Sequence, residues 1–145
     1  MSILTQIKIN RPFVFSNNFN DETILINLKS GFYYSIDTLA AVIWEIIEKK
    51  GDLNNLVEII AEYFNVPTEN IESSINEFLS TLLKESLIVE DREQQEDIIS
   101  LTKIEIESLV KERIVVLDPP VLNKYSDMLD MLKLDPIYDT DKKGW

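Results

Sequence analysis

The spacing of the apolar residues changes once, at Asp37, and that change constrains the fold more than any other feature of the sequence. Before it, short apolar runs alternate with period two between turn-forming clusters, as half-buried strands require. After it, the spacing lengthens to about 3.6, the period of amphipathic helices. Phe13 and Phe15 flank Val14 after Pro12, Ser16 to Asp21 is rich in turn formers, and Ile24, Ile26 and Leu28 share a face in Thr23–Leu28. This predicts a hairpin turning within 16–21. Lys29-Ser30-Gly31 reads as a second turn, with Gly31 free to take a positive φ, and it leads into the aromatic and β-branched run Phe32-Tyr33-Tyr34-Ser35-Ile36. A three-stranded antiparallel meander is predicted.

Asp37 is suited to cap a first helix, in which Leu39, Val42, Ile43, Ile46 and Ile47 make an apolar stripe around Trp44 and which Gly51 ends. Asp52 caps a second through Leu53, Leu56, Ile59, Ile60 and Phe64. The break at Val66-Pro67-Thr68 admits a third, from residue 68 to Ser86. There Ile71, Ile75, Phe78, Leu79, Leu82 and Leu83 keep helical spacing, with Glu72, Asn76, Glu77, Ser80 and Lys84 opposite; Leu87-Ile88-Val89 reads as a short strand. The fold class is therefore α+β, a three-stranded antiparallel sheet followed by three helices, with a mainly helical C-terminal extension. Glu90 to Asp97 is charged and apolar-free, which divides the chain into a domain over 1–90, a linker over 91–97 and an extension over 98–145. Residues 98–113 resume a helical pattern and Asp118-Pro119-Pro120 ends the run. Leu122, Tyr125, Met128, Leu129 and Leu132 predict one more short helix within Val121–Leu134, and DPIYDTDKKGW reads as a tail or a binding peptide.

Neither cysteine nor histidine occurs. Disulfides, thiol nucleophiles, imidazole bases and most transition-metal sites are thereby excluded, so neither an enzyme nor a cofactor is expected. Residues 51–100 hold twelve acidic and two basic side chains, a net of −10 within a total of −12. A field of that sign repels phosphate backbones and favours a basic or neutral partner, although a solvated helix face is the commoner explanation. No apolar run is long enough for a membrane span and no signal segment opens the chain, so a soluble cytoplasmic protein is expected.

Gly31, Tyr34, Ile36, Asp37, Ala40, Ile43-Trp44, Gly51, Phe78-Leu79, Leu82 and Leu87-Ile88, in this order and spacing, resemble PqqD over residues 12–90. PqqD is the peptide-recognition element of pathways that make ribosomally synthesised, post-translationally modified peptides. The resemblance implies a winged-helix-like fold without catalytic activity. It also implies that the leader of a precursor peptide adds as a strand on the third strand, in the groove beside the third helix, and is presented to a modifying enzyme. Carried over, Phe32 to Ile36 form the receiving edge, and Tyr33, Tyr34, Ser35, Ile71, Ser74, Ile75 and Phe78 build the pockets. Such an edge provides affinity through its unpaired backbone groups, and it also allows pairing with a second copy of the chain. Alternation and helix period point Tyr34, Ile36 and Trp44 into the core, where they hold the groove's shape.

The extension departs from the short form of the family. It can cover the sheet, mediate self-association, dock the enzyme, or lie in the leader groove as an intramolecular placeholder. Two other readings compete. A winged-helix DNA-binding regulator needs basic residues on its exposed helix, whereas the third helix sets Lys84 against Glu69, Glu72, Glu77 and Glu85. A structural adaptor acting through its extension would lose partner binding on removal of 98–145.

Overall fold

A computed structural model describes residues 7–19, 22–90 and 101–126. Its elements run β1 (Ile7–Ile9), β2 (Val14–Phe19), β3 (Glu22–Asn27), β4 (Tyr33–Asp37), α1 (Thr38–Glu48), α2 (Leu53–Phe64), α3 (Thr68–Lys84), β5 (Ile88–Glu90), α4 (Lys103–Arg113) and β6 (Asn123–Tyr125). The class is α+β, with antiparallel pairing throughout the described sheets. The predicted linker at 91–97, the helical pattern before 101, residues 127–134 and the tail lie outside the described residues.

The expected meander is present as β2-β3-β4, but the sheet has four strands, in the order β2-β3-β4-β6. Its last member falls where a helix was predicted over 121–134. Asn123–Tyr125 is too short for a strand pattern of its own and is ordered by pairing with β4 across more than 80 positions of sequence. A second sheet joins β1 to β5.

The first hairpin also runs further than turn propensity suggests. Ser16, Asn17 and Asn18 pair with Leu25, Ile24 and Thr23. Their polar side chains find partners: Thr23 Oγ1 donates to Asn18 Oδ1 at 2.8 Å and Ser16 Oγ to Glu48 at 3.3 Å. Cross-strand pairing thus overrides local preference. On β3 the buried face is Thr23, Leu25 and Asn27, with Ile24 and Ile26 half-exposed opposite and Leu28 exposed. Asn27 tolerates burial because its Oδ1 accepts from the Lys29 and Ser30 amides while its Nδ2 donates to the Glu85 carbonyl. Gly31 closes the second turn at φ +82°.

Below the sheet, α1 is buried from Leu39 to Ile47 apart from Glu45, with Trp44 and Ile43 at its centre. Asp37 occupies its N-cap without a side-chain bond to a helix amide, whereas Asp52 caps α2 by accepting from the Asn54 amide at 2.9 Å. α4 packs on α1 and α2, and Ile106, Val110 and Ile114 join the same buried cluster as the helices before it. Gly51 is required there for space: a Cβ would lie 2.9 Å from Ile46 Cγ2 and 3.0 Å from Leu101 Cβ. Among the described residues no helix is long and apolar enough to cross a membrane.

Candidate functional site

β4 forms because its side chains alternate between two environments. Tyr34 and Ile36 point into the core and are fully buried, whereas Tyr33, Ser35 and Asp37 face the other side, where Ser35 is also buried, Tyr33 half-buried and Asp37 exposed. One edge of β4 is paired with β3, Ile24 opposite Ser35, Leu25 opposite Tyr34 and Ile26 opposite Tyr33. The other edge carries β6, with Tyr125 opposite Tyr33, Lys124 opposite Tyr34 and Asn123 opposite Ser35. The same parity places Lys124 on the core side, level with Tyr34.

That side is closed by Glu85, the residue that caps α3. Tyr34 Oη donates to Glu85 Oε1 at 2.9 Å, and the Lys124 ammonium reaches the same oxygen at 2.9 Å. The ammonium also sits 4.1 Å from the centroid of the Phe32 ring, within cation–π range. On the edge itself Asn123 Nδ2 donates to the Ser35 carbonyl at 3.3 Å. Burial pushes the Glu85 carboxyl upward, but the hydrogen bonds from Lys124 and Tyr34 and the charges of Lys124 and Lys84 outweigh it, leaving the group below the ordinary glutamate range. Burial, reinforced by the hydrogen bond to Glu85 and its negative charge, raises the Tyr34 phenol well above its usual value. The phenol is therefore a permanent donor at neutral pH.

The residues singled out from sequence divide into two groups. Tyr33, Tyr34, Ser35 and Ile36 lie together on β4. Phe32 precedes the strand, its carbonyl accepting from the Asn27 amide and its ring under Lys124. On α3, Ile71, Ile75 and Phe78 are buried in the common core and Ser74 is half-buried. Outside them, Glu69, Glu72, Ser73, Asn76, Glu77 and Ser80 line a shallow, open, acidic surface. Sequence reasoning missed Glu85 and Asn123–Tyr125. Glu85 had no signal beyond its place after an apolar stripe, and Asn-Lys-Tyr carries no alternation. No group of His, Cys, Asp or Glu suited to a metal ion occurs among the described residues.

Residues 22–88 match the family model of coenzyme PQQ synthesis protein D (PqqD). The matched span begins at β3 and ends in β5, leaving β1, β2, α4 and β6 outside it. Among solved structures, the chain is similar to TbiB1 in complex with the TbiA(beta) leader peptide. The identity is 25% and the TM-score 0.51, with 61% of this chain and 99% of that chain covered. No curated protein matches the sequence.

Proposed function

Residues 22–88 are PqqD-like, and from that premise we propose that the chain binds the leader of a ribosomally made precursor peptide by strand addition at the β4 side of its sheet. The carrying observation is the likeness to TbiB1, whose structure holds a leader peptide. The recognition unit is residues 1–90 in the winged-helix-like arrangement of that family, and residues 98–145 are its extension. Acting in the cytoplasm, the protein raises the local concentration of its peptide at a modifying enzyme that it also touches. No bond is made or broken by its own side chains. Affinity comes from backbone hydrogen bonds along Tyr33–Asp37 and selectivity from side chains flanking the edge: Phe32, Tyr33 and Ser35, with Ser74 toward α3. Tyr34, Ile36, Ile71, Ile75 and Phe78 support it from the core. The acidic outer face of α3 suits a basic peptide and opposes nucleic acid.

The test is a fluorescence-anisotropy titration of the full-length protein with a labelled peptide, made as the N-terminal half of a short reading frame adjoining the gene. Saturable binding at micromolar concentration or below is expected. Proline placed singly at Tyr33 to Ile36 weakens it tenfold or more wherever it deletes a pairing amide. Binding that survives proline at every position in a folded protein, or no binding at all, overturns the reading.

A further inference from the structure

The edge that would receive a peptide is already paired with the chain's own β6. We propose that Asn123–Tyr125 is an internal stand-in for the peptide strand, and that a peptide displacing it must place a basic side chain against Glu85 and Phe32. The inference rests on leader binding at the β4 edge and adds to it both a regulatory strand and a chemical requirement on the ligand.

Strand geometry carries the first half. β6 runs antiparallel to β4 and covers Tyr33, Tyr34 and Ser35, three of its five residues. The same backbone groups cannot pair with β6 and with a peptide at once. The hold on β6 is of a kind that can be released in water. It is three residues long, Asn123 and Lys124 are exposed, and the Lys124–Glu85 pair leaves 42% and 23% of the two side chains in solvent. Its lead-in is anchored at Ile114, which is buried, so a released β6 stays close and competes as a tethered ligand.

Side-chain parity carries the second half. In this register the residue opposite Tyr34 points to the core side, where Lys124 meets the Glu85 carboxylate and the Phe32 ring. When Lys124 leaves, Glu85 keeps its bond from Tyr34 but loses the ammonium at the same oxygen. A replacement side chain that is apolar leaves a partly buried carboxylate without its cation, and an acidic one repels it; lysine or arginine restores both contacts. The net charge of −12 adds attraction at longer range for a basic peptide.

The chain contains no cysteine, so Ser35→Cys with Asn123→Cys, which are register partners, creates a single possible disulfide. The probe is a fluorescein-labelled peptide with the sequence of residues 118–126, Asp-Pro-Pro-Val-Leu-Asn-Lys-Tyr-Ser, titrated against full-length proteins. Lys124→Glu in the protein repels β6 from Glu85, so this variant is expected to bind the probe at least tenfold more tightly than the natural sequence does. A probe with glutamate in place of lysine is expected not to bind it. The double-cysteine protein should lose the probe when oxidised and regain it on reduction. Equal binding by the oxidised and reduced forms, failure of the disulfide to form, or no gain from Lys124→Glu would each sink the stand-in. The peptide from the adjoining reading frame separates the two readings. If it binds the locked and unlocked forms equally, the stand-in fails and leader recognition survives. If only the probe binds, leader recognition fails and the stand-in survives.

Discussion

α4 and β6 belong to the same C-terminal extension and are held by different physics. α4 presents Ile106 and Val110 at successive turns, followed by Ile114 at its C-cap, each at most 2% exposed, and packs against α1 and α2. Its first turn is closed by a reciprocal capping box between Thr102 and Glu105, and its last is tied by Arg113 to Glu45 at 2.6 Å. β6 has no buried side chain. It is held by backbone pairing, by the Asn123 side-chain amide on the Ser35 carbonyl, and by the Lys124 ammonium on the Glu85 carboxylate and over the Phe32 ring. Apolar burial has no substitute in water, so α4 is a fixed part of the core, whereas water or another peptide can replace every contact of β6. A single extension thus supplies a permanent brace and, on the reading above, a replaceable strand.

That contrast makes graded predictions. Ile106→Ala leaves a cavity beneath α4 and should cost about 2–5 kcal/mol in urea denaturation, lost in one transition with the rest of the domain. A separate early transition would mean that α4 is not part of the common core. Gly51→Ala forces a Cβ against Ile46 and Leu101 and should cost about 1–3 kcal/mol by overpacking. An unchanged midpoint would show that the segment entering α4 yields easily, which would bring α4 closer to β6 in character.

Lys124→Ala should lower global stability by less than about 1 kcal/mol, since its pair is part-exposed. Amide protection along β4 should nevertheless fall measurably by hydrogen exchange, while protection in α4 stays as it was. Equal loss in both elements would erase the contrast. The smallest effect is that of pH. The Glu85 carboxyl is held below its ordinary range in the folded protein, so its contribution is complete above that range and is lost as pH falls through the lowered value. Protection factors on β4 should decrease on acidification in the natural protein and show no such step in Glu85→Gln. A step that persists in the variant would place the titrating group elsewhere.

The elements over 14–88 were legible in the sequence because each carries its own period. The αL-capable Gly31, the capping Asp52 and the stripes of α1 to α3 are local signals, and Tyr34, Ile36 and Trp44 were correctly read as core. The hairpin turn was read too early because Ser16, Asn17 and Asn18 are turn formers whose polar groups found cross-strand partners instead. Which side chains of the candidate site would face a peptide was not legible from spacing alone. Ile71, Ile75 and Phe78 show the same apolar spacing whether they line a groove or fill a core, and they fill the core.

Composition and short-range period establish a meander followed by three amphipathic helices, the exclusion of cysteine and histidine chemistry, and an acidic middle third, since they need no knowledge of what packs on what. That α4 joins the core and that Asn123–Tyr125 is a strand became visible only in the assembled fold. The same was true of Glu85, where Tyr34 and Lys124 converge on one oxygen. These depend on contacts between residues far apart in the chain, and the energy of such a contact appears only when the fold has brought its partners together.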